Sequence, residues 1–563
     1  MKYSKLCKVY QALESTTKGL EKTEILANFL KEIKSEPKLI YLLQGNIFAD
    51  YDSRELGISH QLAIRIISCS AGIPDEIVIK EFKELGDLGK VAESIIEKQK
   101  QQRSLFSTHL TVEKVISNLR RISTIEGKGT IDLKIGLIVE LIHSASPKEA
   151  KYIIRTVLND LKVGVGSGIL RDSIVVYCFK PKDIEGKKFY SELVQEAYDK
   201  STDFAEVFEK ACENKLDEIV LSPGKPVKVM LFPKAHNVED AFRIVGSPAA
   251  FEYKYDGFRV MVNKDSNGNV KIFTRRLEEV TSQFPEIVKY VESHVKGDSF
   301  ILDAEAVGYD SETKAYTDFQ KVSQRIRRKY GIEKMARELP IELVIFDIIY
   351  LNGKNLIETP FGERRKIIEK IVHEESFKII LAKQIITEDY LEVEKFYELA
   401  LKENQEGLMG KNLETPYKPG ARVGYAVKLK PEDNDFDLVI TGAEWGTGKR
   451  AGWLTSFDIS CRSDDKLFAI GKVSTGLKEL EGGEGLSYKR MTEKLKDLIL
   501  EEHGRKISVR PEIVVSVQYQ NVQKSTTYSS GYALRFPRIL RLREDRGVRD
   551  IATIEEIRIE SEK

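Results

Sequence analysis

The segment Glu252-Tyr253-Lys254-Tyr255-Asp256-Gly257-Phe258-Arg259 carries a lysine in an extended run that a glycine then breaks. In a strand, alternate side chains share a face, so Glu252, Lys254 and Asp256 are predicted to point the same way, with Gly257 letting the chain turn. A lysine amine is a weak nucleophile at its free pKa of about 10.4. Neighbouring cations and partial burial lower that value and free the lone pair. Arg259 is one candidate neighbour; Lys428 and Lys430 are two more. Taken alone, the segment reads equally well as a surface turn of mixed charge.

The segments that follow favour the nucleophile. Phe273-Thr274-Arg275-Arg276 ends a predicted strand and supplies guanidinium groups suited to phosphate. Leu302-Asp303-Ala304-Glu305 sets two carboxylates on one face of an otherwise apolar strand, where a metal ion or a ribose hydroxyl would explain them better than a core. Phe346, inside an apolar run, suits stacking on a base as well as core packing. Glu406-Gly407-Leu408-Met409-Gly410-Lys411 offers a carboxylate, a close backbone approach and a cation. The loop Tyr417-Lys418-Pro419-Gly420-Ala421-Arg422 precedes Lys428-Leu429-Lys430, which puts two ammonium groups on one strand face. A solvated edge strand would also explain that pair.

Working outward, strands are predicted at 258–262, 270–274, 300–307 and 341–350, with helices at 285–295 and 363–372, an α+β pattern. Upstream the chain reads as helical. Ile154, Val157, Leu158 and Leu161 fall at i, i+3, i+4 and i+7, and Gly164, Gly166 and Gly168 are predicted to end that helix. Ser222-Pro223-Gly224-Lys225-Pro226 and Pro431-Glu432-Asp433-Asn434-Asp435 break the pattern. Past the second break, short strands and glycine turns suggest a small β-barrel. The expected organisation is multidomain: an all-α domain (1–222), an α+β domain (223–432) and a β-barrel domain (433–563).

The 563 residues suffice for three or four such domains. Lys+Arg 89 against Asp+Glu 88 excludes a uniformly basic nucleic-acid coat, so any anion-binding surface must come from local segregation of charge. The five cysteines form no Cys-x-x-Cys, which argues against a zinc ribbon or a dithiol redox site. No apolar run reaches the length of a membrane span, and Lys8, Glu14 and Lys18 interrupt the first residues, so the chain is expected to be cytoplasmic, without a membrane partner and monomeric.

In their order, these segments resemble the motifs of the covalent nucleotidyltransferases: DNA ligases, RNA ligases and mRNA capping enzymes. Lys-Tyr-Asp-Gly-Phe-Arg at 254–259 is similar to the adenylation motif of ATP-dependent DNA ligases. The segments at 273–276, 302–305, 346–350, 406–409 and 428–430 resemble the next five. The stretch from Arg155 to Gly164 resembles the helical DNA-binding domain of archaeal and eukaryotic replicative ligases, which capping enzymes lack. Leu534-Arg535-Phe536-Pro537-Arg538 and Arg543-Glu544-Asp545-Arg546 resemble the last ligase motif, carried on an OB-fold. Two places depart from the pattern: Ala426 stands where an aromatic is usual, and Arg546 where a lysine is.

The resemblance implies a DNA ligase that uses ATP and Mg²⁺, with Mn²⁺ as an alternative, to seal nicked duplex DNA in replication, repair and recombination. Lys254 would be adenylated. Glu252, Arg259, Arg275, Glu305, Phe346, Arg422, Lys428 and Lys430 would hold the nucleotide, and Glu305 and Glu406 the metal. Arg535, Arg538, Arg543 and Arg546 would engage the leaving pyrophosphate. DNA contacts are expected at Lys162, Gly164, Arg325, Arg327 and Arg328, to backbone rather than bases. Gln102, Leu105 and Phe106 resemble a sliding-clamp-binding plug. The competing readings are an RNA ligase or other nucleotidyltransferase, which the helical N-terminal region disfavours, and a DNA-binding scaffold without chemistry, which need not keep Lys254, Glu305, Glu406, Lys428 and Lys430 together.

Overall fold

β-branched and aromatic runs set the middle of the chain. In the computed structural model they form eleven strands: β1 (Lys234–Ala235), β2 (Ala249–Lys254), β3 (Phe258–Lys264), β4 (Val270–Thr274), β5 (Phe300–Gly308), β6 (Ile341–Leu351), β7 (Lys354–Asn355), β8 (Ile379–Leu381), β9 (Gln384–Thr387), β10 (Gly407–Asn412) and β11 (Ala426–Leu429). The structure describes all residues except 53, 101–109, 126–128, 318, 327, 329, 432–433, 447–449, 451, 465, 480–485 and 563, and the side chains of 99, 100 and 320. Gln102, Leu105, Phe106 and Arg327 therefore lie outside the described residues. Two compact units result, Met1–Lys430 and Pro431–Lys563.

The strands make two sheets. One has the order β1-β11-β10-β2-β9, the other β4-β3-β5-β6-β7 with β8 added to β6. In the first, register aligns Glu252 with Met409 and Met409 with Lys428, and Lys254 with Gly407. By strand alternation the polar residues Glu252, Lys254, Lys411 and Lys428 share one face. Phe251, Tyr253, Leu408 and Val427 occupy the other, buried with Phe242 and Val245 of the helix Val238–Val245 and Val393 of the helix Tyr390–Lys402. The second sheet divides likewise. Val260, Val262, Leu302, Ala304 and Ile345 pack with Ile287 and Ile368 of the helices Pro285–His294 and Phe361–Ile371, while Arg259 pairs with Glu305 and Met261 with Asp303 on the opposite face.

A bulge in this second sheet bears on the site. Asp303 aligns with Asp347 and Ala304 with Ile345, so Phe346 is the extra residue. A bulge re-aims the side chain it carries. Directly after it, Asp347 is buried and receives two hydrogen bonds from Arg364, at 2.7 and 3.0 Å, which compensates its charge inside the core.

The helical region has its own core, running from Tyr3 to Ile219. Its central helix, Pro147–Val157, opens on a capping box between Ser146 and Glu149. The helix ends at Val157, before the glycines expected to stop it. Asn159 and Lys162 take left-handed φ values of 53° and 59°, and Gly168 already belongs to the next helix, Ser167–Cys178. Leu161 mimics the helical period because its side chain is buried although the loop residues beside it, Asp160 and Lys162, are exposed. Among the described residues no helix is long and apolar enough to cross a membrane.

In the second unit, β12 (Asp435–Trp445), β13 (Leu454–Ser463), β14 (Lys466–Val473), β15 (Ile499–His503), β16 (Lys506–Val509), β17 (Val514–Gln518), β18 (Val522–Lys524), β19 (Tyr532–Leu534) and β20 (Arg538–Leu542) follow in order. Along one edge β12 pairs first with β17 and then with β16, and bulges interrupt its pairing with β13. A long bulged strand serving two partners curls the sheet around Leu438, Ile440, Phe457, Ile459 and Val517.

Two glycines are fixed by space. Gly257 lies in the bend between β2 and β3, where the turn was predicted, without entering the left-handed region. A Cβ there would lie 2.5 Å from the Ala306 carbonyl oxygen and 2.9 Å from Glu305 Cγ. Gly407 has φ +135°, and a Cβ would lie 2.1 Å from the Leu429 carbonyl oxygen. Gly407→Ala is expected to destabilise the chain by about 3 kcal/mol or more. Urea unfolding compared with wild type measures this, and a change below about 1 kcal/mol would contradict the packing described.

Candidate active site

Lys254 closes β2, and its Nζ lies 2.8 Å from Glu406. The chain delivers that carboxylate through a backbone bond, with the Glu406 N–H donating to the Lys254 carbonyl at 2.8 Å. Lys430, just past β11, reaches the same carboxylate. Burial opposes ionisation of Glu406, but the Lys254 and Lys430 ammonium groups outweigh it and hold the carboxyl down at about 2.

Glu305 stands in the opposite condition. Burial pushes its carboxyl up to about 8. Lys254 and Arg259 pull it down, while Glu406 and Asp303 add repulsion. Lys428 is held below the usual lysine range by burial first, then by Lys430, Lys254, Arg422 and Arg275. Those influences place four cations within electrostatic reach of half-buried Lys428, with Arg275 and Arg422 solvent-exposed. Such a set attracts and neutralises a polyphosphate.

Arg259 differs from expectation. Its Nε and Nη2 donate to the two oxygens of buried Asp303, at 2.8 and 2.5 Å, and its Nη1 to the Met230 carbonyl at 2.8 Å. Its charge is therefore committed to Asp303 rather than to activating Lys254. Asp303 also accepts from Tyr417 Oη at 2.8 Å, so its place on the strand is explained without a metal. Asp256 falls beyond the end of β2 rather than on the strand face with Lys254, and its carboxylate accepts from the Phe319 N–H at 3.4 Å.

Phe346, half-buried, has the Arg259 guanidinium 5.3 Å and the Lys411 ammonium 4.9 Å from its ring centre. Glu252 is 1% exposed, paired with Lys411 at 2.6 Å and Arg365 at 3.5 Å. Ala426, in place of the usual aromatic, is buried. Tyr425 turns aside to donate to the Pro416 carbonyl at 3.1 Å. The sequence marked Lys411 only as a cation of the 406–411 segment and Tyr417 only as part of a loop, without a site role for either. Strand alternation from Met409 would have put Lys411 on the Glu252 face; Tyr417 sits in a loop and left no such signal.

Glu305 and Glu406 are hard oxygen donors, and Glu406 lies near enough to oppose the ionisation of Glu305. Two carboxylates completed by phosphate oxygens and waters fit a Mg²⁺-like ion. Among the described residues no cluster of three or more His, Cys, Asp or Glu could hold a metal alone.

The expected DNA contacts fare unevenly. Arg325 is 1% exposed. It donates to the Leu339 and Gln283 carbonyls at 2.9 Å each, pairs with Glu286 and lies over the Phe284 ring. It is a core residue and is not available to DNA; a basic run reads alike whether a given arginine faces in or out. Arg328 is exposed. Lys162 is paired with Asp87 and Asp160, both at 3.3 Å, beside Gly164 at φ +66°. In the second unit Arg538 is exposed and Arg535 is buried against Phe536. Arg543 and Arg546 share Asp437, at 2.8 and 3.3 Å, so their charges are already partly balanced there.

Comparison with known proteins adds the following. The family model described as ATP dependent DNA ligase domain matches residues 229–430. That for the DNA ligase N terminus matches 2–175, and that for the ATP dependent DNA ligase C terminal region 450–546. The chain is 45% identical to a DNA ligase of Nanoarchaeum equitans, over 99% of this chain and 98% of that one. It is 41% identical to a DNA ligase of Thermococcus fumicolans, with the same coverage of both. The solved structure Pmar-Lig_PreS3 superposes with a TM-score of 0.55 at 16% identity, over 95% of this chain and 99% of that one, a likeness of fold.

A pH dependence follows from Glu305. Its ordinary value is 4.5, and in the metal-free folded chain it stays protonated to about 8. A raised value favours folding in full below 4.5, and that contribution is lost as pH rises through 8. Urea midpoints measured from about pH 5 to about pH 9 should fall less steeply in Glu305→Gln than in wild type. Equal slopes would contradict a neutral Glu305.

Proposed function

Because this chain belongs to the ATP-dependent DNA ligase family, we propose that Lys254 is the residue that becomes adenylated and that the cations around it handle the phosphates. The observation that carries this reading is that Glu406 pairs with both Lys254, at 2.8 Å, and Lys430, while Lys430, Lys254, Arg422 and Arg275 all bear on Lys428.

The chemistry runs in three displacements. Deprotonated Lys254 Nζ attacks the α-phosphorus of ATP. A P–N bond forms, the bond to the β-phosphate oxygen breaks, pyrophosphate leaves with the electron pair, and the nitrogen sheds one proton to solvent. A 5′-phosphate oxygen at the nick then attacks the same phosphorus and expels the lysine, whose nitrogen takes a proton back as it leaves. The 3′-hydroxyl finally attacks the 5′-phosphorus, loses its proton and releases AMP. Each step gathers negative charge on phosphate oxygens, so fixed cations stabilise the transition states.

Lys428 and Lys430 hold the α-phosphate. Arg275 and Arg422, exposed at the rim, meet the outer phosphates. Phe346 stacks on the base and Glu252 reads its edge. Glu305 and Glu406 would hold a divalent ion, which supplies Lewis-acid neutralisation of phosphate charge. Occupation of Glu406 by such an ion would release Lys254 from its ion pair. Residues 1–222 serve as the DNA-binding domain, 223–432 as the adenylation domain and 433–563 as an OB-fold, with Arg535, Arg538, Arg543 and Arg546 meeting pyrophosphate. Lys162, Gly164 and Arg328 contact the DNA backbone. Gln102, Leu105 and Phe106 form a clamp-binding plug on a cytoplasmic monomer.

Incubation with ATP and Mg²⁺ should add the mass of one AMP to wild type and none to Lys254→Ala, whose nick sealing should fall by more than about 10³-fold. If Lys254→Ala still acquires AMP, another residue is the nucleophile.

A further inference from the structure

The reaction above gives no part to Lys411, a buried cation beside Glu252 and Phe346. Lys411 is 4% exposed, and its ammonium lies 2.6 Å from Glu252, 4.9 Å from the centre of Phe346 and 4.3 Å from that of Phe361. Taking an ammonium out of water is costly unless it is paired, so this arrangement is maintained against a penalty. Charge balance alone does not call for it, because Arg365 also reaches Glu252, at 3.5 Å, and Gln384 Nε2 donates to it at 2.8 Å. Lys411 also joins two groups from different sheets: Glu252 on β2 and Phe346 on the bulge of β6.

We propose that Lys411 is a positioning residue that makes the site selective for 6-amino purine nucleotides. Resting on the reading above, Phe346 and Glu252 meet the face and the edge of the base. Lys411 fixes the distance between them. It pins the Glu252 carboxylate as an immobile acceptor and holds the Phe346 ring by cation–π attraction. An exocyclic amino group donates to that carboxylate. A 6-oxo purine presents an acceptor at the same position, and the carboxylate, held on both oxygens by Lys411, Arg365 and Gln384, cannot swing away. Selection of this kind relies on leaving the wrong base with unpaired polar groups rather than on pocket size. Lys411 touches neither phosphate nor Lys254 in this scheme, so it governs nucleotide capture rather than the chemical step.

The test measures lysyl–AMP and lysyl–GMP formation by the full chain against nucleotide concentration. Lys411→Met is expected to raise the half-saturating ATP concentration about tenfold or more and to narrow the ATP-over-GTP preference by a similar factor, with the maximal adenylation rate changed less than about threefold. Affinity for nicked duplex, which does not use the base pocket, should stay within about twofold. Lys411→Arg, which keeps a cation beside Glu252 and Phe346, should recover most of the ATP preference that Lys411→Met loses. An equal fall in maximal rate and DNA affinity in Lys411→Met, or an unchanged preference, each overturns the proposal. The underlying reading is tested separately by Phe346→Ala and Glu252→Gln. If neither alters ATP saturation, the base lies elsewhere, whatever Lys411→Met does.

Discussion

Glu406 is the carboxylate on which the centre of this molecule is built. Lys254 and Lys430 come from β2 and from the end of β11, and without an anion between them two ammonium groups on one sheet face would repel. Glu406 settles that conflict through charge, and its backbone N–H ties it to Lys254. Gly407 lets β10 pass close enough to the Leu429 carbonyl for this to happen. The lysines, the carboxylate and the glycine are thus one device, and none of them has its position without the others.

Around this device both sheets follow one rule: an apolar face against helices and a polar face opposite. The rule is carried by alternation, so charged residues two apart along a strand end up together. Exceptions to simple alternation are where compensation appears. Asp303 and Asp347 are buried acids, and each has its own arginine, Arg259 and Arg364. These pairs balance the two buried acids, while Glu406 is balanced by the lysines Lys254 and Lys430 instead.

Much of this was legible in the residues. β4 was predicted at its observed bounds, because a short branched and aromatic run between turn residues has few other ways to be buried. The candidate phosphate-binding cations were visible as charges at fixed places along strands. What sequence could not show was commitment. Arg259 and Arg325 look like free cations in a string of letters, yet each is engaged by partners far along the chain, 44 residues away for Asp303 and 42 for Gln283. The end of the helix Pro147–Val157 was missed for a related reason: Leu161 continues the apolar period, and only packing reveals that a loop, not a helix, buries it.

The bulge at Phe346 has a consequence for how this strand can change over time. A substitution there alters chemistry but not aim, since the aim is set by counting: β6 spends two residues where β5 spends one. Loss of one residue just before the bulge, at Val344 or Ile345, would put the strand back in step and set Phe346 opposite Ala304 on the core face. The reading frame of this short segment is therefore constrained by length more strictly than by composition. Variation here should run through replacement of side chains and almost never through insertion or deletion.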